Sequence, residues 1–286
     1  MTNVSRASLL LSLACAASAN SEVPIEDEFK TSGFALGCQA YTFNRFSVFE
    51  AIDKTKQAGG KVIEFFPGQR LSPSDSTKFN HDADRGMWEQ VKRKLAETNI
   101  RPVNYGVVGV PKNEAGARKV FEFAKYFNLR TITTESVESI DTLEKMAKEF
   151  DVCVAFHNHP RRPNDPNYKV WDPNFIAKLV EGRDRRVGAC ADTGHWVRSG
   201  LKPVDCLRIL KGRIMGMHLK DLNEFGKREA HDVIFGTGVS NVPAILDELK
   251  DQGFAGNISV EYEYNWDTNV EDVTKCIEFI KNYKAK

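Results

Sequence analysis

Eight repeats of a short apolar run followed by an amphipathic helix pattern predict a single (β/α)8 TIM barrel over residues 33–286. Three observations carry this prediction. The runs are continuously apolar rather than alternating, as in parallel strands buried on both faces. Eight β-then-α units is the number that closes a barrel. No Pro-, Gly- or Ser-rich linker divides the chain, whose 286 residues suit one barrel domain of about 250 residues.

The strands are expected at Phe34–Gln39, Lys61–Phe65, Pro102–Val107, Thr131–Thr134, Val152–Phe156, Val187–Ala191, Ile214–Leu219 and Ile258–Glu261. Helix-period segments separate them at Val48–Gln57, Met87–Thr98, Glu114–Phe127, Ile140–Phe150, Pro173–Glu181, Pro203–Leu210, Val242–Gln252 and Val270–Tyr283. Start signals agree: Asp172-Pro173, Lys202-Pro203 and Asn241-Val242-Pro243 place proline in or near a first turn. Gly182 and Gly253 fit helix C-caps. The polar segment 68–85 is expected to be the loop after the second strand and to help cover the functional end.

Composition excludes several classes of function. With Lys+Arg 40 against Asp+Glu 39 the formal charge is +1, so the electrostatic footprint of a nucleic-acid binder is missing. A hydrophobic content of 41% with 28% charge is ordinary for a globular core. At the N-terminus, Arg6 precedes the apolar run Ala7–Ala17, and Ala17-Ser18-Ala19 is a small-x-small cleavage pattern. Residues 1–19 therefore read as a cleavable signal peptide and 20–32 as an N-terminal extension, with a periplasmic or secreted mature protein. The run is too short for a membrane-spanning segment. Cys15 falls within this signal, and the other five cysteines have no CxxC spacing, which argues against a cysteine zinc site. Cys38, Cys153 and Cys190 lie in apolar runs and read as buried thiols.

In a barrel of this type, functional residues gather at the C-terminal ends of the strands. There the sequence places Tyr41, Glu64, Glu135, His157-Asn158-His159, Asp192, His195, His218, Lys220, Glu261 and Glu263. So many carboxylates and imidazoles at one end call for a counter-charge. Asp, Glu and neutral His are the ligands that Mn²⁺, Mg²⁺, Co²⁺ or Zn²⁺ accept. A divalent ion would polarise the carbonyl of a ketose and ease removal of the neighbouring C–H proton.

The motifs Asp192-Thr193-Gly194-His195, His218-Leu219-Lys220-Asp221, Gly236-Thr237-Gly238 and Val260-Glu261, in this order, resemble the xylose isomerase-like TIM barrels, also called sugar phosphate isomerases/epimerases. The resemblance covers roughly residues 33–284 and implies a metal bound by Asp192, His218 and Glu261, with His195 on substrate hydroxyls. The family's epimerases carry a fourth ligand, a Glu, at the end of the fifth strand, where this chain reads His157. Glu135 is then the expected fourth ligand with His157 or His159 as acid/base; the other arrangement has His157 on the metal. Glu261, His157, His159 and Glu135 are the expected catalytic residues, and His195, Lys220, Glu64 and Trp196 the expected substrate contacts.

Bland readings stand beside these. Asp192 could serve as a helix N-cap, His195 as a surface residue, His218 as a core histidine, and Glu135 as an ordinary loop carboxylate. Glu64 could belong to the polar end layer of the barrel, and Lys220 could pair with a carboxylate. Trp171, Trp196, Trp266, Phe66 and Tyr41 suit sugar faces but also ordinary packing. His81 and His231 have no partner pattern and read as surface residues, and Gly236-Thr237-Gly238 reads as a turn, lacking the ending of a P-loop.

The expected function is a divalent-metal-dependent isomerase or epimerase of a non-phosphorylated ketose or keto-sugar, working through a metal-bound enediolate. The alternative is a 3-keto-glycoside lyase or dehydratase using a histidine base on the same site. A carbohydrate-binding barrel with a decayed site, and a nuclease resembling endonuclease IV, rank below both. The partner is a small carbohydrate and no nucleic acid; homo-oligomerisation is left open.

Overall fold

The computed structural model describes residues 23–284. The export-signal expectation for residues 1–19 lies outside the described residues. Eight parallel strands form a closed barrel: β1 (Phe34–Gln39), β2 (Val62–Phe65), β3 (Arg101–Tyr105), β4 (Thr131–Thr134), β5 (Cys153–His157), β6 (Val187–Asp192), β7 (Ile214–Leu219) and β8 (Asn257–Val260). Closure runs through β8 and β1, whose register pairs Asn257 with Ala35 and Val260 with Cys38. All the expected strands form, each end within two residues of its expected place.

The helices are α1 (Val48–Gln57), α2 (Arg85–Thr98), α3 (Glu114–Tyr126), α4 (Ile140–Phe150), α5 (Pro173–Val180), α6 (Thr193–Arg198), α7 (Pro203–Ile209), α8 (Val242–Asp251) and α9 (Val270–Lys281). Their starts are set by local chemistry. Ser47 and Glu50 form a reciprocal capping box on α1. Asp84, Asn113 and Asp172 cap α2, α3 and α5 through their side chains. Apolar residues every three to four positions on each helix pack outward-facing strand residues into one continuous core.

Three features depart from expectation. The segment after β2 is a β-hairpin, Gln69–Ser72 against Asp75–Phe79, anchored by the buried Leu71 and Phe79. The residues after β6 are not a loop but the short helix α6. The described part of the 20–32 extension belongs to the barrel: Lys30–Thr31 pairs antiparallel with β1, and Ile25 packs on Ala35, Val62 and Val103, closing the N-terminal end. Cys38, Cys153, Cys190, Cys206 and Cys276 are all buried thiols.

Candidate metal centre

The centre is built from the C-terminal ends of β5 to β8. His157 is the last residue of β5, Asp192 the last of β6, His218 the penultimate residue of β7, and Glu261 follows β8. Each offers one ligand atom, all lying within 4.8 Å of one another, and all four side chains are buried. The geometry groups His157 with Asp192, His218 and Glu261, and places the expected ligand Glu135 in a second group with His157 and His159. Glu135 stands one residue beyond β4 and reaches the far edge of the His157 ring, where its Oε1 lies 3.2 Å from Nδ1.

The orientation of each imidazole follows from its outer partner. Burial pushes the Glu135 carboxyl up, but hydrogen bonds from His157 and His159 outweigh it and hold it at about 2. Being ionised, Glu135 only accepts, so Nδ1 of His157 carries a hydrogen and donates it to Glu135, and Nε2 faces inward. His218 is arranged in the same way through the opposite nitrogen. Its Nε2 lies 3.0 Å from Oε1 of Glu64, and its Nδ1 faces the centre, 3.2 Å from Glu261 Oε2. A carboxylate behind each ligating histidine is the usual outer support of a metal site.

Asp192 caps a helix and still has an oxygen to offer the centre. Its Oδ1 accepts the His195 backbone N–H at 2.7 Å and caps α6, which leaves Oδ2 directed at the centre. Asn158 fixes the spacing of Asp192 from His157 by extending the β5–β6 ladder: its amide donates to Asp192 O and accepts from Asp192 N, each at 2.9 Å. This role of Asn158 is invisible in the sequence, where it is only the middle of a His-Asn-His triplet.

Three atoms at the centre lack a hydrogen-bond partner: His157 Nε2, Asp192 Oδ2 and His218 Nδ1. Lys220 Nζ does stand 2.9 Å from Asp192 Oδ2, a charge contact that does not complete a hydrogen bond. Orphaned polar atoms in a buried site are costly, and here they converge. Burial pushes His218 down, yet Cys190, Glu64 and Glu261 around it raise it well above the usual imidazole range. Burial likewise lowers His157, and Asp192 and Glu135 overcome it. The cluster draws positive charge inward, and two nitrogens and two carboxylate oxygens fit a divalent cation.

Several expected substrate contacts do not reach the pocket. Glu64 is fully buried, bonded to His218 and to the Ser259 hydroxyl at 2.9 Å. It stands behind His218, away from the cavity lining. Lys220 is also 0% exposed, its ammonium held by Glu261 at 2.7 Å, Asp192 at 2.9 Å and Glu263 at 3.1 Å. Its stem lies on Gly194, where an added Cβ would sit 2.7 Å from Lys220 Cδ; the glycine in the Asp-Thr-Gly-His motif makes room for this lysine. Trp196 is 1% exposed and belongs to the core. Once α6 forms, the step of about 100° per residue turns Trp196 away from the face that presents His195.

A cavity of ≈ 260 Å³ opens above the centre. Tyr41, Phe66, Pro67 and Val107 line one side, and His157, His159, His195, Glu261 and Glu263 the other. Trp266 backs Tyr41 edge-on at 5.8 Å between ring centroids. His159 also hydrogen-bonds Glu135 through Nδ1, and the Tyr168 hydroxyl donates to the same carboxylate at 3.2 Å. Elsewhere, His81 is half-buried and bonds the Tyr105 hydroxyl at 3.0 Å, not the free surface residue expected; His231, also partly buried, stacks on Tyr264. The amides of Gly236, Gly238 and Ser240 all donate to Asp221, so the Gly-Thr-Gly segment is a turn wrapped around a carboxylate.

Fold and centre together define a barrel with a buried His/Asp/His/Glu group at its catalytic end. The chain belongs to the family described as xylose isomerase-like TIM barrel, whose model matches residues 113–283. This family includes sugar epimerases, isomerases and an inosose dehydratase. Among particular relatives, the rhizopine catabolism protein MocC of Rhizobium meliloti is 32% identical over 138 residues, 43% of this chain and 40% of that protein. The inosose dehydratase of Clostridium tetani is 36% identical over 88 residues, 30% of this chain and 28% of that protein. The chain thus spans less than half the length of each of these curated relatives. A solved structure of an uncharacterised protein from Parabacteroides distasonis shares 32% identity and a TM-score of 0.69, covering 87% of this chain and 98% of that one.

Proposed function

We propose that this protein is a divalent-metal-dependent enzyme that moves the proton on the carbon beside a carbonyl in a non-phosphorylated ketose or keto-sugar, as an isomerase or epimerase. The observation that carries this reading is the convergence of three orphaned ligand atoms with Glu261 on the floor of a cavity walled by imidazoles. His157, Asp192, His218 and Glu261 would hold Mn²⁺, Mg²⁺, Co²⁺ or Zn²⁺, which when bound polarises a carbonyl and acidifies the adjacent C–H.

The chain's own groups supply the proton traffic. Glu261 is ionised, because Lys220 and His218 overcome the effect of its burial, and it meets the cavity from one side. His159 also lines it, with Nδ1 committed to Glu135 and Nε2 left to exchange a proton. Tyr168 keeps the Glu135 carboxylate in place while His159 gains or loses charge. Two proton-transfer groups lining one cavity suit removal of a proton by one and its return by the other.

Among the described residues no lysine or arginine lines the cavity, and Lys220 and Arg198 behind it are each bound by carboxylates. Beyond the metal itself, a phosphate would meet Glu261 and Glu263 with no described lysine or arginine to balance it, which supports a neutral sugar. The volume sits near the lower end for small-molecule pockets, consistent with a single sugar ring.

A second reading is elimination, as a 3-keto-glycoside lyase or dehydratase. It is favoured by His157 standing at the end of the fifth strand, where the family's epimerases carry a Glu, with the imidazole of His159 beside it, since a protonated imidazole can hand its proton to a leaving oxygen. The likeness to an inosose dehydratase supports the same reading. Metal-loaded protein incubated in D₂O with free ketoses and 3-keto-glycosides separates the two. Deuterium incorporated with every substituent retained supports proton return, whereas release of water or an aglycone supports elimination. No exchange and no release with any of them would refute both. Export to the periplasm or medium completes the proposal, and loss of residues 1–19 from the mature chain, read by mass spectrometry, tests it.

A further inference from the structure

Arg198, one turn along α6 from His195, has its side chain almost entirely buried, and four hydrogen-bond contacts hold its guanidinium. Nε donates to Ala230 O at 3.0 Å, and Nη2 to Asp232 Oδ2 at 3.3 Å. Nη1 carries two hydrogens and has two partners, Glu263 Oε2 at 3.3 Å and Nδ1 of His195 at 3.1 Å. A guanidinium has no acceptor and does not lose its proton in proteins. The contact with Nδ1 is therefore an Arg N–H donated to a ring nitrogen that bears no hydrogen. The tautomer of His195, ordinarily ambiguous, is settled by this partner.

We infer that Arg198 is a positioning residue that locks His195 in the tautomer carrying its hydrogen on Nε2, making the cavity face of that ring a permanent donor. Of the three imidazoles lining the cavity, His157 turns Nε2 toward the metal group and its Nδ1 to Glu135, and His159 leans on the same carboxylate. His195 alone has a cation at its back. Its Nε2–H is 3.5 Å from Asp192 Oδ2, too far for that carboxylate to hold the proton by itself. This hydrogen is free for a substrate oxygen, and because Nε2 has no lone pair to offer, His195 cannot be the base. His195 is thereby removed from the candidate bases that line the cavity.

Arg198 is in turn placed by two carboxylates from elsewhere in the chain. Asp232 lies on the short strand Asp232–Val233, which pairs with Asp221–Leu222, and Glu263 follows β8 and also holds Lys220. One guanidinium thus ties the donor ring of α6 to the same Glu263 that braces the lysine behind the metal ligands.

The inference deepens the proposed reading and rests on it only in taking the cavity as the substrate site. The test reads the tautomer whether or not any sugar is turned over. Long-range proton–nitrogen correlation spectra of ¹⁵N-labelled protein distinguish protonated from unprotonated ring nitrogens, and His195→Gln identifies the His195 signals. The expected result for the unaltered protein is an unprotonated Nδ1 and a protonated Nε2. Arg198→Leu should lose the unprotonated Nδ1 signal to an averaged pattern, while Arg198→Lys, which keeps a donor, should retain it. The His81 signals should hold still in a folded variant. A protonated Nδ1 in the unaltered protein overturns the inference, as does an unchanged pattern in Arg198→Leu. Should Arg198→Leu fail to fold, the unaltered protein and Arg198→Lys still decide.

Discussion

Replacing Lys220 with methionine removes a charge and leaves the packing nearly intact. The methionine stem fills the channel over Gly194, so little cavity is created, and the loss is that of the ammonium. Three carboxylate oxygens within 2.7–3.1 Å then face one another with no lysine between them, and those of Asp192 and Glu261 are buried with it. Removing one partner of a buried ion pair costs roughly 3–5 kcal/mol. At about 2–4 °C per kcal/mol for a domain somewhat smaller than this one, the metal-free variant should melt on the order of 10 °C lower. A divalent cation meets the same Asp192 and Glu261. In the unaltered protein, metal at 100 times its Kd should return about 2.7 kcal/mol. In Lys220→Met the metal-induced rise in Tm should be larger at equal concentration, since a competing cation has been removed. Differential scanning calorimetry across a Mg²⁺ or Mn²⁺ series measures both quantities. A metal-free variant that melts with the unaltered protein would refute the reasoning, because a lysine so placed could not then be balancing these carboxylates.

Three further outcomes follow from the same geometry. Asp192→Ala and His218→Ala should abolish metal retention, measured by elemental analysis after gel filtration; Glu64→Ala, which touches only His218 and the barrel interior, should weaken affinity about 10–100-fold by calorimetric titration. Gly194→Ala should destabilise by about 1–3 kcal/mol in a urea melt, because the new methyl meets the Lys220 stem at 2.7 Å. The Glu135–His157 pair should give a window of acid stability. Glu135 is lowered from 4.5 to about 2, so its contribution is complete above pH 4.5 and fades as pH falls through 2. His157 is raised from 6.5, so its contribution is complete below that value and fades as pH rises through its folded-state value. The difference in denaturation midpoint between the unaltered protein and Glu135→Gln should be greatest between about pH 4.5 and 6.5 and shrink toward pH 2. A difference that is flat across this range would contradict the pairing.

The barrel was legible in the chain because its signals are local. Continuous apolar runs, proline in first helical turns and capping residues act over a few positions, so strand and helix ends could be placed within two residues. The same locality located Asp192, His218 and Glu261, each marking the point where an apolar strand gives way to the polar end. Helix α6 was missed because six residues carry little periodicity, and that omission misplaced Trp196: read as loop it could face a sugar, but on a helix it goes to the core.

What the chain's pattern could not decide is which polar atom meets which across the barrel. Glu135 and His157 are both strand-end residues at β4 and β5, and no spacing rule says which points at the axis and which stands behind. Glu64 and His218 are 154 positions apart, yet their contact turns a predicted substrate residue into a support for a ligand. Lys220 changes from a substrate contact to an internal counter-ion for the same reason, since its three partners come from β6 and the residues after β8. Strand ends are specified by neighbours in sequence. The direction of a side chain, the nitrogen an imidazole presents and the charge balance of a buried cluster are specified by neighbours in space, and closure of β8 onto β1 is what brings those together.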